Sequence, residues 1–273
     1  MRRRYAGRLG WLVVSLVLLG CEGRDQSTTP SAEAVKETAE APKPVVTRSF
    51  ATADLIDALF VGSGPLIPRD GITGCPMQAV WSGFPRGTAV RVRVSTTVEP
   101  ATREAIQRAV LQVSLATNGI ITATFQLTND PNPLPGSNEV TATARPHPQD
   151  EGCGSDQGCI VYGFQARGIL RSGRVLQPPG QSPNAYVRDA VGHGVLGMCL
   201  VDAKLIEGSA NSLMSSGRGV LPAMAAPGLT ALDMEAARAL YASALNPGAI
   251  RRDLLRAGLV NLQAGQRRKG PSS

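Results

Sequence analysis

Residues 189–200 read Asp189-Ala190-Val191-Gly192-His193-Gly194-Val195-Leu196-Gly197-Met198-Cys199-Leu200. Asp189 and His193 stand four apart, so a helix through them puts both side chains on one face. Such a pair is able to hold a metal weakly, or to form an ion pair within the helix. Downstream lie Asn211-Ser212-Leu213-Met214-Ser215 and then Leu229-Thr230-Ala231-Leu232-Asp233-Met234-Glu235. The chain has only 2 histidines, His147 and His193, so a site of three histidines is excluded within one copy.

The order of these three segments resembles that of the metzincin metalloproteases, the matrixin-like members in particular. Their pattern is H-E-x-x-H-x-x-G-x-x-H followed by a Met-turn. The resemblance implies a helix with two zinc-binding histidines one turn apart and a glutamate acting as general base on the metal-bound water. It also implies a glycine that turns the chain sharply toward a third histidine.

Two registers fit. Aligning Gly192-His193 with the second histidine puts Asp189 at the first ligand, Ala190 at the base and Leu200 near the third ligand. This register needs one extra residue before Gly197. Aligning Gly197 without a gap puts Ala190, Gly194 and Leu200 at the ligands and Val191 at the base. The first is preferred because it keeps His193 and supplies an acid at position 189. An aliphatic base position cannot accept a proton in either register. Met214 falls at the Met-turn, and Gly197, Asn211 and Asp233 keep scaffold positions. A serine-hydrolase reading through Ser209, Ser212 or Ser215 finds no nucleophile elbow to support it.

The elements around this segment read as mixed α and β. Ala89-Val90-Arg91-Val92-Arg93-Val94 alternates as a strand with one wet face. Pro100 opens a helix to about Ala116 with an apolar stripe of Ala105, Ile106, Ala109, Val110 and Val113, ended by Asn118-Gly119. Residues 120–127, 139–144 and 159–164 are further strand candidates, with a loop through 130–138. Thr230 is a helix N-cap with Asp233 in the first turn, and the helix runs over 231–244 to Asn246-Pro247-Gly248. Residues 249–262 suit a short amphipathic helix, and 265–273 an unstructured end. The expected class is α+β. With the resemblance it becomes a metzincin-like mixed twisted sheet with packed helices, an active-site-type helix, a Met-turn and a C-terminal helix.

Residues 1–20 read as a targeting segment, with Arg2, Arg3, Arg4 and Arg8 before an apolar run too short to span a bilayer. Leu18-Leu19-Gly20-Cys21 resembles the lipobox of bacterial lipoproteins, which implies a lipid on Cys21 and stable membrane anchoring. Glu22 after that cysteine favours the outer membrane by the same resemblance. Residues 21–48 carry too little apolar surface to fold and read as a tether of about 30 Å mean span. The domain is expected over 49–248, followed by a basic tail over 249–273.

The formal charge of +7 falls once the four signal-segment arginines are set aside, leaving 24 basic against 21 acidic residues. Arg251, Arg252, Arg256, Arg267, Arg268 and Lys269 crowd the end, with no accompanying nucleic-acid motif, so nucleic acid is not an expected partner. Besides Cys21, Cys75, Cys153, Cys159 and Cys199 are an even set with three possible connectivities. A local Cys153–Cys159 closure would leave Cys75 to meet Cys199, and free buried thiols are the alternative.

Three functions are carried forward. The first is a membrane-anchored, catalytically impaired pseudoprotease binding a peptide or protein. The second is a residual zinc metallopeptidase using Asp189, His193 and a ligand such as His147. The third is a structural envelope lipoprotein. No cofactor is expected, zinc being the one metal that the resemblance brings into question.

Overall fold

The computed structural model describes residues 52–62, 74–144, 158–202, 212–216 and 228–261. These all fall within one compact unit, Val45–Ser273. The targeting segment, Cys21, the tether, His147, Cys153, Ser209, Asn211 and the last twelve residues lie outside the described residues.

The fold is mixed α and β around a five-stranded sheet, with strands β1 Ala89–Ser95, β2 Thr122–Thr128, β3 Glu139–Ala144, β4 Cys159–Ala166 and β5 Ile169–Gln177. Their spatial order is β2-β1-β3-β5-β4. The first four in that order run parallel, and β4 returns antiparallel to β5 at the edge. Parallel neighbours need long crossovers, and helix α2 of the crossover between β1 and β2, Pro100–Ala116, supplies one. Its first residue is the proline expected there, and its stripe from Ala105 to Ala116 is fully buried. Asn118 (φ 53°) and Gly119 (φ 75°) then turn the chain in the left-handed region, which explains why Asn-Gly stands at that point.

Alternation decides which face of the sheet each residue serves. Val92, Val140, Gly173 and Tyr162 form one row across four strands, and Val94, Ala142, Val175 and Ile160 the next. This face carries the core and receives the helices. On the opposite face Arg91 and Arg93 flank Glu139, with Nη1–Oε distances of 2.6 and 3.3 Å. Burial pushes the Glu139 carboxyl up, but the Gly136 N–H and the two guanidinium groups outweigh it and hold it below its ordinary value. The loop over 129–138 closes on this face, where Thr143 Oγ1 donates to Pro131 O at 2.6 Å and Arg174 donates to Asn132.

Two elements were not foreseen: the second half of the β4–β5 hairpin and a helical segment ahead of the sheet, whereas the short helix expected within 249–262 is present. Helix α1 covers Thr52–Ile56 and continues as a π turn over Asp57–Val61, with Leu55 to Val61 buried. Helix α3, Pro183–Val187, leads into the candidate site, and α4, Ala231–Ala242, packs against α1 and α2. The folded part runs past residue 248. Helix α5, Arg251–Arg256, buries Leu254 in the core, and Arg251 forms an ion pair with Asp57 at 2.9 Å. No helix of the described residues is long and apolar enough to cross a membrane.

Candidate functional site

Ser182 and Pro183 start α3: the Ser182 hydroxyl accepts from Ala185 N–H at 3.3 Å, and proline takes the first helical position. The helix then widens into a π turn over Arg188–His193, where Gly194 N–H reaches Asp189 O at 2.9 Å and Leu196 N–H reaches Val191 O at 3.0 Å. Gly197, at φ 67°, ends it. Its N–H returns to His193 O at 3.1 Å and the Met198 N–H to Gly192 O at 2.9 Å. Each of these loops is one residue larger than in a Schellman closure, matching the widened turn before it.

The glycines around His193 are required by what they touch. A Cβ on Gly192 would strike Met214 Sδ, and one on Gly194 would sit 3.0 Å from Val140 Cγ1 on β3. Gly194 Cα also lies 3.7 Å from the Cβ position of Gly173, where the turn crosses β5. His193 is therefore carried between the sheet and the Met214 turn by backbone packed too tightly for side chains. A Cβ on Gly197 would meet the Ser82 carbonyl, which cannot move aside as a side chain can. Gly197→Ala is expected to cost about 3 kcal/mol, from the left-handed backbone and this overpacking. Gly192→Ala should cost roughly 1 kcal/mol, because the Met214 thioether can shift. Urea unfolding midpoints of the two variants check that order.

Asp189 and His193 come together and are both buried, at 4 % and 6 % exposure. Asp189 Oδ1 lies 3.9 Å from His193 Nε2, beyond hydrogen-bond range. The carboxylate is instead engaged by Arg188 Nε–H at 3.0 Å and by the Gln177 amide. His193 Nδ1 lies 2.7 Å from Met198 O. A carbonyl only accepts, so Nδ1 carries the proton and Nε2 holds the lone pair in the neutral ring. Burial holds the imidazole below its ordinary value, against the opposing pull of Asp189. Burial first, then the Asp189 carboxylate, raise the Tyr162 phenol well above its own.

A lowered histidine pKa links to stability with a definite sign. The contribution of His193 is whole above its ordinary value near 6.5 and is lost as pH falls below that toward the folded value. Unfolding free energy is therefore expected to drop over that acid range, and His193→Gln to flatten the drop. Urea titrations at a series of pH values measure it.

The other positions implied by the resemblance carry no donors to this centre. Ala190 is wholly buried in the apolar core, and Leu200 packs against Gly74, whose O accepts from Leu200 N–H at 3.0 Å. Among the described residues no group of three or more His, Cys, Asp or Glu side chains stands ready to hold a metal ion. The donors seen here do not fit a zinc centre: one imidazole nitrogen faces a carboxylate already held by Gln177 and Arg188.

Met214 belongs to a turn built by Asp233. The Ser212 hydroxyl donates to Asp233 Oδ1, and Leu213 N–H donates to Oδ2 at 2.9 Å. The same carboxylate accepts from Thr230 N–H at 2.9 Å and from its hydroxyl at 2.9 Å, while Asp233 N–H donates to Thr230 Oγ1. One buried side chain thus completes the capping box that Thr230 begins and holds the turn beneath Gly192. Ser212, being committed to Asp233 and to Met214 N–H, is not placed as a nucleophile. Val201 N–H then reaches Met214 O at 2.9 Å, joining strands β6 Val201–Asp202 and β7 Ser215–Ser216.

Cys75 and Cys199 are disulfide-bonded, and Cys159 is also in a disulfide. Gln177, Arg188, Tyr162 and Gly173 were not singled out by sequence. A lone glutamine at a strand end or a glycine within a strand carries no signal until the pairing register is known. Scans against protein-family models, curated proteins and solved structures return no match.

Proposed function

We propose that this chain is a lipid-anchored envelope protein whose metzincin-like domain has lost its catalytic apparatus and acts by holding a peptide or protein segment. The observation that carries this reading is a contrast around His193. The scaffold positions Gly192, Gly197, Met214 and Asp233 are locked into close contacts, whereas Ala190 lies in the core and Leu200 packs on Gly74. A fold keeping its frame while its donor positions turn apolar is what loss of chemistry with retention of a surface would leave.

The element order supports the same reading: strand, helix, strands, a helix carrying Gly-His, a methionine turn and a last helix. The π turn favours the register with Asp189 at the first ligand position. An i→i+5 turn accommodates one residue more than an α turn, which is the extra residue that register needs. Disulfides suit an oxidising compartment, in keeping with export through residues 1–20. Beyond β4 no strand of the described residues closes the sheet, so its outer edge is where an extended peptide would lie.

The full-length protein in detergent is expected to leave casein and gelatin intact with or without added zinc. Cleavage that needs zinc would favour the metallopeptidase reading, with Asp189 and His193 as its described donors. Asp189→His, Ala190→Glu and Leu200→His together test the register. Zinc retained by that folded triple variant after dialysis supports Asp189 as the first ligand position, and no zinc counts against it.

A further inference from the structure

Away from His193, the β4–β5 hairpin opens a cleft of about 480 Å³ lined by Ser137, Asn138, Phe164, Gln165 and Arg171. The pairing explains why these side chains converge. Gly163 stands opposite Ser172, Phe164 opposite Leu170 and Ala166 opposite Ile169. Gln165 on one strand and Arg171 on the other are therefore left without a cross-strand partner. Bulges of this kind redirect side chains, and both of these redirected residues line the cleft.

Arg171 is fixed at both ends of its backbone-to-side-chain reach. Its carbonyl accepts from Asn138 N–H at 2.8 Å, and its Nε–H donates to Ser137 Oγ at 3.1 Å. Among the described residues no carboxylate pairs with its guanidinium. Asn138 is itself held in the left-handed region, at φ 58°. The ring of Phe164, about a third exposed, forms the apolar wall and lies 6.0 Å from the ring of Tyr162. Tyr162 in turn feels the Asp189 carboxylate. The two aromatic residues stand two positions apart along β4, over roughly 7 Å of strand.

We infer that this cleft binds a peptide carboxylate, with Arg171 as its anchor and the Gln165 and Asn138 amides beside it. A preorganised guanidinium with Nε already held, two neutral amides and an aromatic wall suit a planar anion on an otherwise uncharged chain. The inference rests on the reading that a peptide lies along β4. A residue two positions from the one above Tyr162 would then bring its carboxylate to Arg171. The carboxylate is either an acidic side chain or the chain terminus.

The test is a titration of the full-length, 15N-labelled protein in detergent with three small probes. N-acetyl-glutamate N-methylamide presents a side-chain carboxylate, N-acetyl-glycine a terminal one, and N-acetyl-glutamine N-methylamide none. The Arg171 Nε–H signal, identified by its disappearance in Arg171→Lys, is expected to shift saturably with one or both acids and not with the glutamine probe. Arg171→Gln should weaken the response of the Gln165 and Asn138 amide signals by roughly tenfold, as for a hydrogen bond to a charged group. Equal shifts from all three probes, or none, would overturn the inference. Longer peptides that bind independently of Arg171 would also overturn it while leaving the β4 edge in place. Acids that shift Arg171 but gain nothing from added peptide length would uphold the cleft and remove the edge reading.

Discussion

Asp233→Ala is expected to lower the unfolding free energy by about 4 kcal/mol, enough to threaten a domain of ordinary stability. The size follows from what would be stranded. The Leu213 and Thr230 N–H groups and the Ser212 hydroxyl all donate to this one carboxylate, which is wholly buried. Each buried donor left without a partner costs about 1–3 kcal/mol, while the Thr230 hydroxyl still accepts from the residue 233 N–H and keeps the N-cap. Such losses within one network do not add fully. Ser212→Ala removes a single donor and should cost roughly 1 kcal/mol. The ratio of the two, from urea midpoints at constant slope, separates a network hub from a mere cap. Burial raises the Asp233 carboxyl against the pull of its four donors. Its contribution is therefore whole at pH below its ordinary value of 3.8 and declines as pH rises through the folded value, opposite in sense to that of His193.

Removing the Cys75–Cys199 bond should cost about 4–5 kcal/mol by loop entropy, since it closes a segment of over a hundred residues. The two cysteines are 124 positions apart. The bond also lies against the site. Cys199 N–H donates to Leu59 O at 2.6 Å, and Met198, whose carbonyl holds His193, is the residue before it. Gly62, at φ 68°, leaves the room that Cys75 Sγ occupies. Thiol reduction opens the Cys159 disulfide as well, so the double variant Cys75→Ala/Cys199→Ala is the cleaner probe. Its urea midpoint should fall by the larger part of the shift that reduction produces in the native chain. A double variant as stable as the native protein would show that packing alone holds residues 59–62 and 74–75 to the site.

Where local rules coincide with tertiary demands, the sequence was legible. Pro100 and the stripe behind it set a helix whose ends match the expected ones, and Thr230 with Asp233 forms the expected cap. The strand at 89 was readable because its faces differ, Val90, Val92 and Val94 pointing into the core and Arg91 and Arg93 away from it. β5 was missed because Leu170, Val175 and Leu176 break the alternation, its interior position burying both faces. Residues 52–61 were missed for a similar reason: a segment buried nearly all round has no amphipathic stripe to announce it.

At the site, the proximity of Asp189 and His193 was legible from their spacing, and so was the turn at Gly197. The partners that decide their chemistry were not. Gln177 arrives from β5, Tyr162 from β4 and the Met198 carbonyl from a turn whose extra residue only the π geometry accommodates. All three depend on strand register or turn type, which a single sequence does not carry in its spacing.

Metal analysis of the full-length protein bears most directly on the central proposal, that Asp189 and His193 do not form a working zinc centre. After purification in detergent, loading with zinc and exhaustive dialysis, the expected result is far less than one zinc per chain, unchanged by Asp189→Ala or His193→Ala. One zinc per chain, lost in both variants and accompanied by zinc-dependent cleavage of casein, would contradict it.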